Sequence, residues 1–443
     1  MKIRLSDHFT TGKLFRFTLP SVIMMVFTSM YSVVDGLFVS RYVGVEAMAS
    51  ISVVMPLLMV LGSFGFMLGS GGSAEVAKTL GQGDVKKAKG YFTMLTMSIF
   101  VIGIMLSGMC LVFIKPICYF LGANNTLIEY CADYATICLL GNTFFMLQVF
   151  FQSFMITAER PHLGLFLTVA GGVTNIVLDW LFIAQFHWGL RGAAMATVCG
   201  YLLNSIVPIV YFLSPNKSRL SFCKPKFYLR ALLHSAANGS SEMVSNISAS
   251  ITSFLFNTQL MRLAGETGVA AITIMQYVNF IFIAVLIGFS MGSAPVVGFH
   301  YGAGNSVELK NLFKKCLGIV LSVSVAMFII SEIFSKPILK AFSSGSAVLE
   351  KMTLSGFRIF ALSFIISGIN IFASSFFTAL CNGKASAAIS FLRSLVLGAG
   401  MIMILPFVFG IEGVWMAPVF SEFFTMVFSV YLLKKHKKEY NYA

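Results

Sequence analysis

Apolar residues run along this chain in long unbroken stretches, each closed by a short polar segment, from residue 14 to residue 433. A helix needs about 20 apolar residues to cross a hydrocarbon layer ~30 Å thick. Twelve stretches reach that length: 14–40, 51–77, 91–114, 130–157, 163–186, 191–213, 231–261, 269–299, 312–335, 353–381, 385–409 and 412–433. A membrane barrel would instead alternate apolar and polar residues over segments of about 10. The first stretch is too long for a removable signal peptide and carries no small-residue cleavage site. The pattern predicts an all-α polytopic membrane protein.

The pattern also repeats. Leu80-Gly-Gln-Gly-Asp-Val-Lys-Lys-Ala-Lys matches Tyr301-Gly-Ala-Gly-Asn-Ser-Val-Glu-Leu-Lys, an offset of about 221 residues. Tyr42-Val-Gly-Val-Glu-Ala-Met-Ala faces Leu263-Ala-Gly-Glu-Thr-Gly-Val-Ala, and Gly189-Leu-Arg-Gly-Ala-Ala-Met-Ala faces Gly410-Ile-Glu-Gly-Val-Trp-Met-Ala, at the same offset. Six helices per half is an even number, so both halves enter the membrane in the same direction. The expectation is two six-helix lobes related by a pseudo-twofold axis along the membrane normal, with substrate between them near the midplane. Residues 1–213 form the first lobe, 214–230 a polar cytoplasmic linker and 231–443 the second lobe.

Composition agrees. The chain is 57% apolar and only 11% charged, against about 25% charged in soluble domains. Its net charge of +14 would suit nucleic acid, but the distribution points to topology. With the N-terminus inside, cytoplasmic segments hold 22 Lys and Arg and outer segments hold seven. That bias places both termini in the cytoplasm and leaves the basic excess without need of a nucleic-acid partner; the expected location is a bacterial plasma membrane. The eight Cys form no CxxC and read as small apolar residues.

Two acids break the apolar pattern. Asp35 is the only charge between Arg16 and Arg41, and Asp179 lies between Arg160 and Arg191 with only His162 and His187 near the ends. A carboxylate at mid-membrane depth costs roughly 2.5–3.5 kcal/mol on insertion scales and by default marks an ion or proton site. Asn175 precedes Asp179 by four residues, so the two share a helix face. An amide beside a carboxylate can serve a proton relay or offer a hard oxygen to Na⁺, and Thr197 in the next span could add a hydroxyl. The repeat does not carry these acids over. Asp35 aligns with Phe256 and Asp179 with Gly400, and all five Asp lie in the first half. Ion coupling is therefore expected in the first lobe.

Other in-span polar residues have structural readings beside functional ones. Glu242 stands alone between Arg230 and Arg262 apart from His234; it could bind a cationic drug or a proton, or simply face a cavity. Glu75 is expected to snorkel or pair with Lys78. Arg358 and Arg393 need partners, Glu422 or carbonyls. Tyr31, Gln148, Gln152, Gln276, Tyr277 and Asn279 are candidate polar points in the substrate cavity. Abundant Met (25) and Phe (45) suit either an ordinary membrane core or a surface that repacks around organic cations. The six His show no metal-ligand spacing, and Gly69-Ser-Gly-Gly-Ser lacks the Lys of a phosphate loop, so close helix packing explains it. No firm metal site is expected.

The segments Tyr31-Ser-Val-Val-Asp-Gly-Leu-Phe-Val-Ser-Arg-Tyr-Val-Gly, Gly81-Gln-Gly-Asp-Val-Lys-Lys-Ala and Asn175-Ile-Val-Leu-Asp179, in that order, resemble the multidrug and toxic compound extrusion (MATE) family over essentially the full length. The resemblance is closest to the bacterial group that exports cationic drugs and dyes. It implies a V-shaped bundle and an antiporter, not an enzyme. Such an antiporter exports lipophilic cations in exchange for H⁺ or Na⁺, needs no further cofactor, works as a monomer and contacts membrane lipid. It implies that Asp35, Asn175, Asp179 and Thr197 match the first-lobe cation site, where Na⁺ could bind. Some members carry a further acidic site in the second lobe; here that lobe offers Glu242 and no Asp. A flippase for a lipid-linked oligosaccharide or peptidoglycan precursor is the alternative. Its pyrophosphate would need a ring of Arg and Lys, and only Arg358, Arg393 and Arg262 are candidates. A channel or receptor would not need an asymmetric acid pair.

Overall fold

The computed structural model describes residues 3–216, 218–342 and 347–443. Lys2 and Lys217, both in the cytoplasmic charge tally, lie outside them. The described residues form helices joined by turns and coil, with no strand. The crossing helices are α1 (Thr11–Tyr42), α2 (Val45–Gly81), α3 (Val85–Val112), α4 (Ile128–Thr157), α5 (Pro161–Asp179, prolonged by the π-helical turn Trp180–Gln185) and α6 (Gly189–Leu213). A second set begins at Leu229. The helical run Leu229–Gly302 is 74 residues long, about 110 Å at 1.5 Å per residue, far more than a bilayer. It breaks at Gly265, where φ is 60° and ψ −151°, giving α7 (229–264) and α8 (266–302). Then come α9 (Ser306–Phe342) and α10 (Ala347–Ala379). The last run starts with Gly383–Ser390, passes through a π-helical stretch Phe391–Ala399 and breaks at Gly410, where φ is 56°. This yields α11 (383–409) and α12 (411–435), so the described residues make twelve crossings.

The backbone carries the repeat. Gly44 and Gly265, Gly83 and Gly304, and Gly189 and Gly410 are three pairs 221 residues apart, all with positive φ. Glycine meets this requirement because a Cβ disfavours left-handed backbone. The helix starts repeat too. Asp84 Oδ1 accepts the Lys87 N–H at 2.9 Å, and Asn305 Oδ1 accepts the Glu308 N–H at 3.0 Å; each is an N-cap. Such caps let α3 and α9 begin in water, six residues before the predicted spans. Hydropathy marks only the slab, and polar helical turns extend beyond it.

Three apolar cores show how the halves meet. One core draws on both, including Leu5, Phe9, Leu80 and Phe150 from the first half and Ala231, Phe299, Leu309 and Tyr442 from the second. It lies at the face that bears both chain ends. At the opposite face the cores are separate. One contains Val39, Val54, Cys138 and Ala193; the other contains Phe256, Met275, Phe360 and Trp415. The molecule is thus a V, closed at the terminal face and parted at the other. Glycines make the closure tight. A Cβ on Gly71 of α2 would collide with the Ser235 carbonyl, and one on Gly239 of α7 with the Met67 carbonyl. On α8, a Cβ at Gly288 would fall 2.6 Å from Val22 Cα of α1. Small residues at such crossings let helix backbones touch. The N-terminal segment straps the seam: the Phe9 N–H donates to Glu308 Oε1 at 2.9 Å, Lys315 Nζ to the Phe9 carbonyl at 2.6 Å, and the Leu5 N–H to Glu159 Oε1 at 3.0 Å.

Candidate functional site

Inside the first lobe, α1, α5 and α6 converge on a group of buried oxygens. The convergence rests on α5 glycines. A Cβ on Gly172 would fall 2.6 Å from the Phe27 ring and 3.2 Å from the Tyr31 ring of α1. A Cβ on Gly200 of α6 would fall 3.1 Å from the Gly171 carbonyl. Asn175 then reaches across to α6, where its Nδ2 donates to Thr197 Oγ1 at 3.5 Å. Asp179, one turn further on, is fully buried, and the π-helical turn begins at the next residue. Asp35, one turn after Tyr31, lies beside Asp179 and Asn175.

Among the described residues, no donor reaches either carboxylate oxygen of Asp179, Oδ1 of Asp35 or Oδ1 of Asn175, although all are buried. Two carboxylates side by side are both acceptors, so their contact is a hydrogen bond only if one holds a proton. Leaving such groups buried without a partner costs about 1–3 kcal/mol each, more when charged. The chemistry of this set calls for a proton or a small hard cation.

The remaining candidates divide between lobes. Tyr31 faces α5 and lies in hydrogen-bonding reach of Gln148. Gln148 Oε1 accepts from Asn204 Nδ2 at 3.1 Å, and Gln148 and Gln152 line a narrow cavity with Phe151, Thr168 and Asn204. These three therefore belong to the interior of the first lobe and do not look across the cleft. Tyr277 lies eleven residues before Gly288, three turns along the same face of α8, and is 38% exposed; that face looks toward α1. Gln276 and Asn279 are half-buried beside it. Tyr134, Cys138 and Tyr201 lie close enough to Asp35 to feel its charge, and sequence reasoning missed them. Tyr201 had a signal, since it follows Thr197 by four residues.

In the second lobe Arg393 pairs with Glu422, Nε at 2.8 Å and Nη2 at 2.7 Å from Oε1. Asn370 Nδ2 donates to Glu422 Oε2 at 2.7 Å, and Ser429 Oγ donates to Asn370 Oδ1 at 2.8 Å. Arg358 instead lies 3.9 Å from Glu332. The expected Glu75–Lys78 pair does not form. Glu75 Oε2 lies 3.1 Å from His234 Nδ1 on α7, and Lys78 sits over the Tyr301 ring at 5.5 Å. Interlobe partners decide both, and spacing within one helix does not reveal them. Glu242 follows Gly239 by three residues on α7. It shares the face that touches α2, one turn further toward the open end.

A two-lobe bundle of twelve helices with a buried, donor-less pair of carboxyls in the first lobe has the build of a membrane transporter. The MatE family profile matches residues 20–181 and again residues 243–404. This chain belongs to the MatE family, whose members are transporters and not enzymes. It is 21% identical over 410 residues to the multidrug export protein MepA of Staphylococcus saprophyticus, covering 92% of this chain and 89% of that one. It is 23% identical over 346 residues to a FAD transporter of Shewanella oneidensis, covering 76% and 75%. Among solved structures, a multidrug resistance MATE family transporter of the MOP superfamily in an outward-facing conformation superposes with a TM-score of 0.90, at 22% identity, over 97% of this chain and 98% of that one. A MATE protein in a straight conformation gives a TM-score of 0.90 at 21% identity over 97% and 98%. At these identities the structural likeness speaks for the fold.

Proposed function

We propose that this protein is a multidrug efflux antiporter that exports lipophilic, mostly cationic drugs and dyes in exchange for H⁺, or Na⁺ in a second reading. The terminal face is cytoplasmic, which the concentration of Lys and Arg there supports. The described conformation is then outward-facing. Lobe boundaries at 1–213 and 231–443, with 214–230 as the cytoplasmic linker, follow from the repeat. One observation carries the reading: the donor-less buried oxygens of Asp35, Asp179 and Asn175, with Thr197 at their edge. The direct approach of two carboxyl groups suits one shared proton, which is why H⁺ comes first.

In the outward-facing state the pair takes up a proton from outside. Neutralisation removes the repulsion between the adjacent carboxyls and shifts α1 against α5. Substrate held in the cleft by Tyr277, Gln276, Asn279 and Glu242 is released outward. The lobes then rock about the glycine seam, the proton leaves to the cytoplasm, and the recharged site favours a cationic substrate. The FAD transporter of Shewanella raises an anionic alternative. The cleft here counters it, since its one membrane guanidinium near Glu242 is already held by Glu422.

Reconstitution tests this directly. Liposomes would carry the full chain, with ethidium transport followed under a pH gradient or a Na⁺ gradient. Transport under one gradient, lost in Asp35→Asn and Asp179→Asn, is expected. Wild-type rates in both variants would sink the coupling assignment, and no transport under either gradient would favour the lipid-linked flippase.

A further inference from the structure

Apart from the Arg358–Glu332 pair of α10 and α9, the described residues of the second lobe place two carboxylates, Glu242 and Glu422, and one guanidinium, Arg393, on α7, α12 and α11, and they are not equivalent. Glu422 is fully engaged: Oε1 takes Arg393 and Oε2 takes the Asn370 amide, which Ser429 orients. Arg393 is anchored at its backbone as well, since Ser421 Oγ donates to its carbonyl at 3.0 Å. It lies in the π-helical stretch of α11, and a side chain on a helix leans back toward the helix start. In α11 that start is the seam, where a Cβ on Gly383 would fall 2.5 Å from Asn238 Cα on α7. Helices α7 and α11 stay packed further out, with Thr252 Oγ1 at 3.5 Å from the Ser394 carbonyl. Arg393 therefore leans toward the level of Glu242. No hydrogen bond to the Glu242 carboxylate forms among the described residues; only its backbone carbonyl is used, by Asn246 at 2.8 Å.

We propose that Arg393 is a specificity-determining residue that sets the charge of the second lobe's cleft wall. Held on Glu422, it cancels one of two carboxylates and leaves Glu242 as the single negative charge that reads the substrate. The wall then accepts one positive charge and discriminates against two. Arg393 acts through Glu242 and Glu422 without touching substrate. The inference rests on the export reading above and adds a substrate class to it: monocations over dications.

Charge counting supplies the test. Ethidium and propidium share a phenanthridinium dye but carry one and two positive charges. Full-length protein in liposomes would be compared by the propidium-to-ethidium ratio of transport kcat/KM. Arg393→Gln leaves two negative charges on the wall and is expected to raise the ratio about tenfold or more. The double variant R393Q/E422Q returns the wall to one negative charge and should restore the wild-type ratio within about twofold. It also replaces a buried pair as a unit, which folds more readily than breaking it. Arg393→Lys should keep the wild-type ratio, and Glu422→Gln should move the ratio the other way. Should Arg393→Gln prove unfolded by size exclusion and thermal melting, the Glu422→Gln shift decides. A ratio unmoved by Arg393→Gln, or equally changed in the double variant, overturns the proposal and assigns Arg393 a structural role. Wild type that carries neither dye under either gradient overturns the export reading itself, and this inference with it. Dye transport with an unmoved ratio overturns the inference alone.

Discussion

Gly71 of α2 and Gly239 of α7 lie backbone to backbone, 168 residues apart in sequence, and hold the two halves together at the terminal face. Their missing side chains are what the closure requires. Gly239→Val would drive a branched side chain into the Met67 carbonyl. The expected result is a shift away from the described conformation and a transport loss of more than about tenfold, within the 5–150-fold range of typical conformational coupling. Spin-label distances across the terminal face should lengthen in the variant. Unchanged distances would mean that the seam tolerates a side chain and is not the fulcrum.

Asp179 is fully buried, and among the described residues neither of its oxygens has a donor. If substrate and proton compete through this pair, cation binding to wild type strengthens as pH rises and the pair loses its proton. Asp179→Asn leaves only the lone Asp35 carboxyl to titrate, so its binding should vary less with pH, and the double variant with Asp35→Asn should be flat. Dye affinity measured in detergent from acid to alkaline conditions would show this. A slope preserved in the double variant places the coupling proton elsewhere.

Asn370 holds Glu422 Oε2 at 2.7 Å while Arg393 holds Oε1. Asn370→Ala leaves half of a buried carboxylate without a donor, at a cost of about 1.5–3 kcal/mol for a charged hydrogen bond. A lowered melting temperature in detergent is expected. Ser429→Ala, which loses only the bond that orients the amide at 2.8 Å, should cost less, about 1 kcal/mol. Equal losses would show that the amide is not oriented by Ser429.

Gly265 and Gly410 bend long helices into pairs at φ of 60° and 56°. Alanine at either position meets left-handed backbone and should destabilise by about 1 kcal/mol or more. Gly108 of α3 is an internal control, because it is helical and a Cβ there has open space. Gly108→Ala should stabilise by about 0.4–1 kcal/mol. Thermal melting of the three variants side by side checks the sign of each.

The sequence by itself determined the architecture. Twelve apolar stretches of membrane length leave few alternatives to a helical bundle, since lipid cannot satisfy exposed backbone groups. The offset of about 221 residues, legible in three short matches, reappears as three pairs of left-handed glycines. The lone in-span acids marked Asp35 and Asp179 because an unpartnered charge in an apolar run has few structural reasons to exist. Asn175 followed from helical spacing alone.

Only the tertiary structure decided what each polar residue meets. Glu75 pairs with His234 of the other half and not with Lys78 a turn away. Tyr31, Gln148 and Gln152 turn into the first lobe, and Glu422, expected for Arg358 or Arg393, goes to Arg393 while Arg358 turns to Glu332. Hydropathy is a property of a segment and survives averaging, so the spans could be read along the chain. Pairing depends on the rotation of each helix about its axis, which packing against glycines sets. A turn of a few tens of degrees carries the same side chain from lipid to cleft, and no periodicity within one helix records which neighbour it will find.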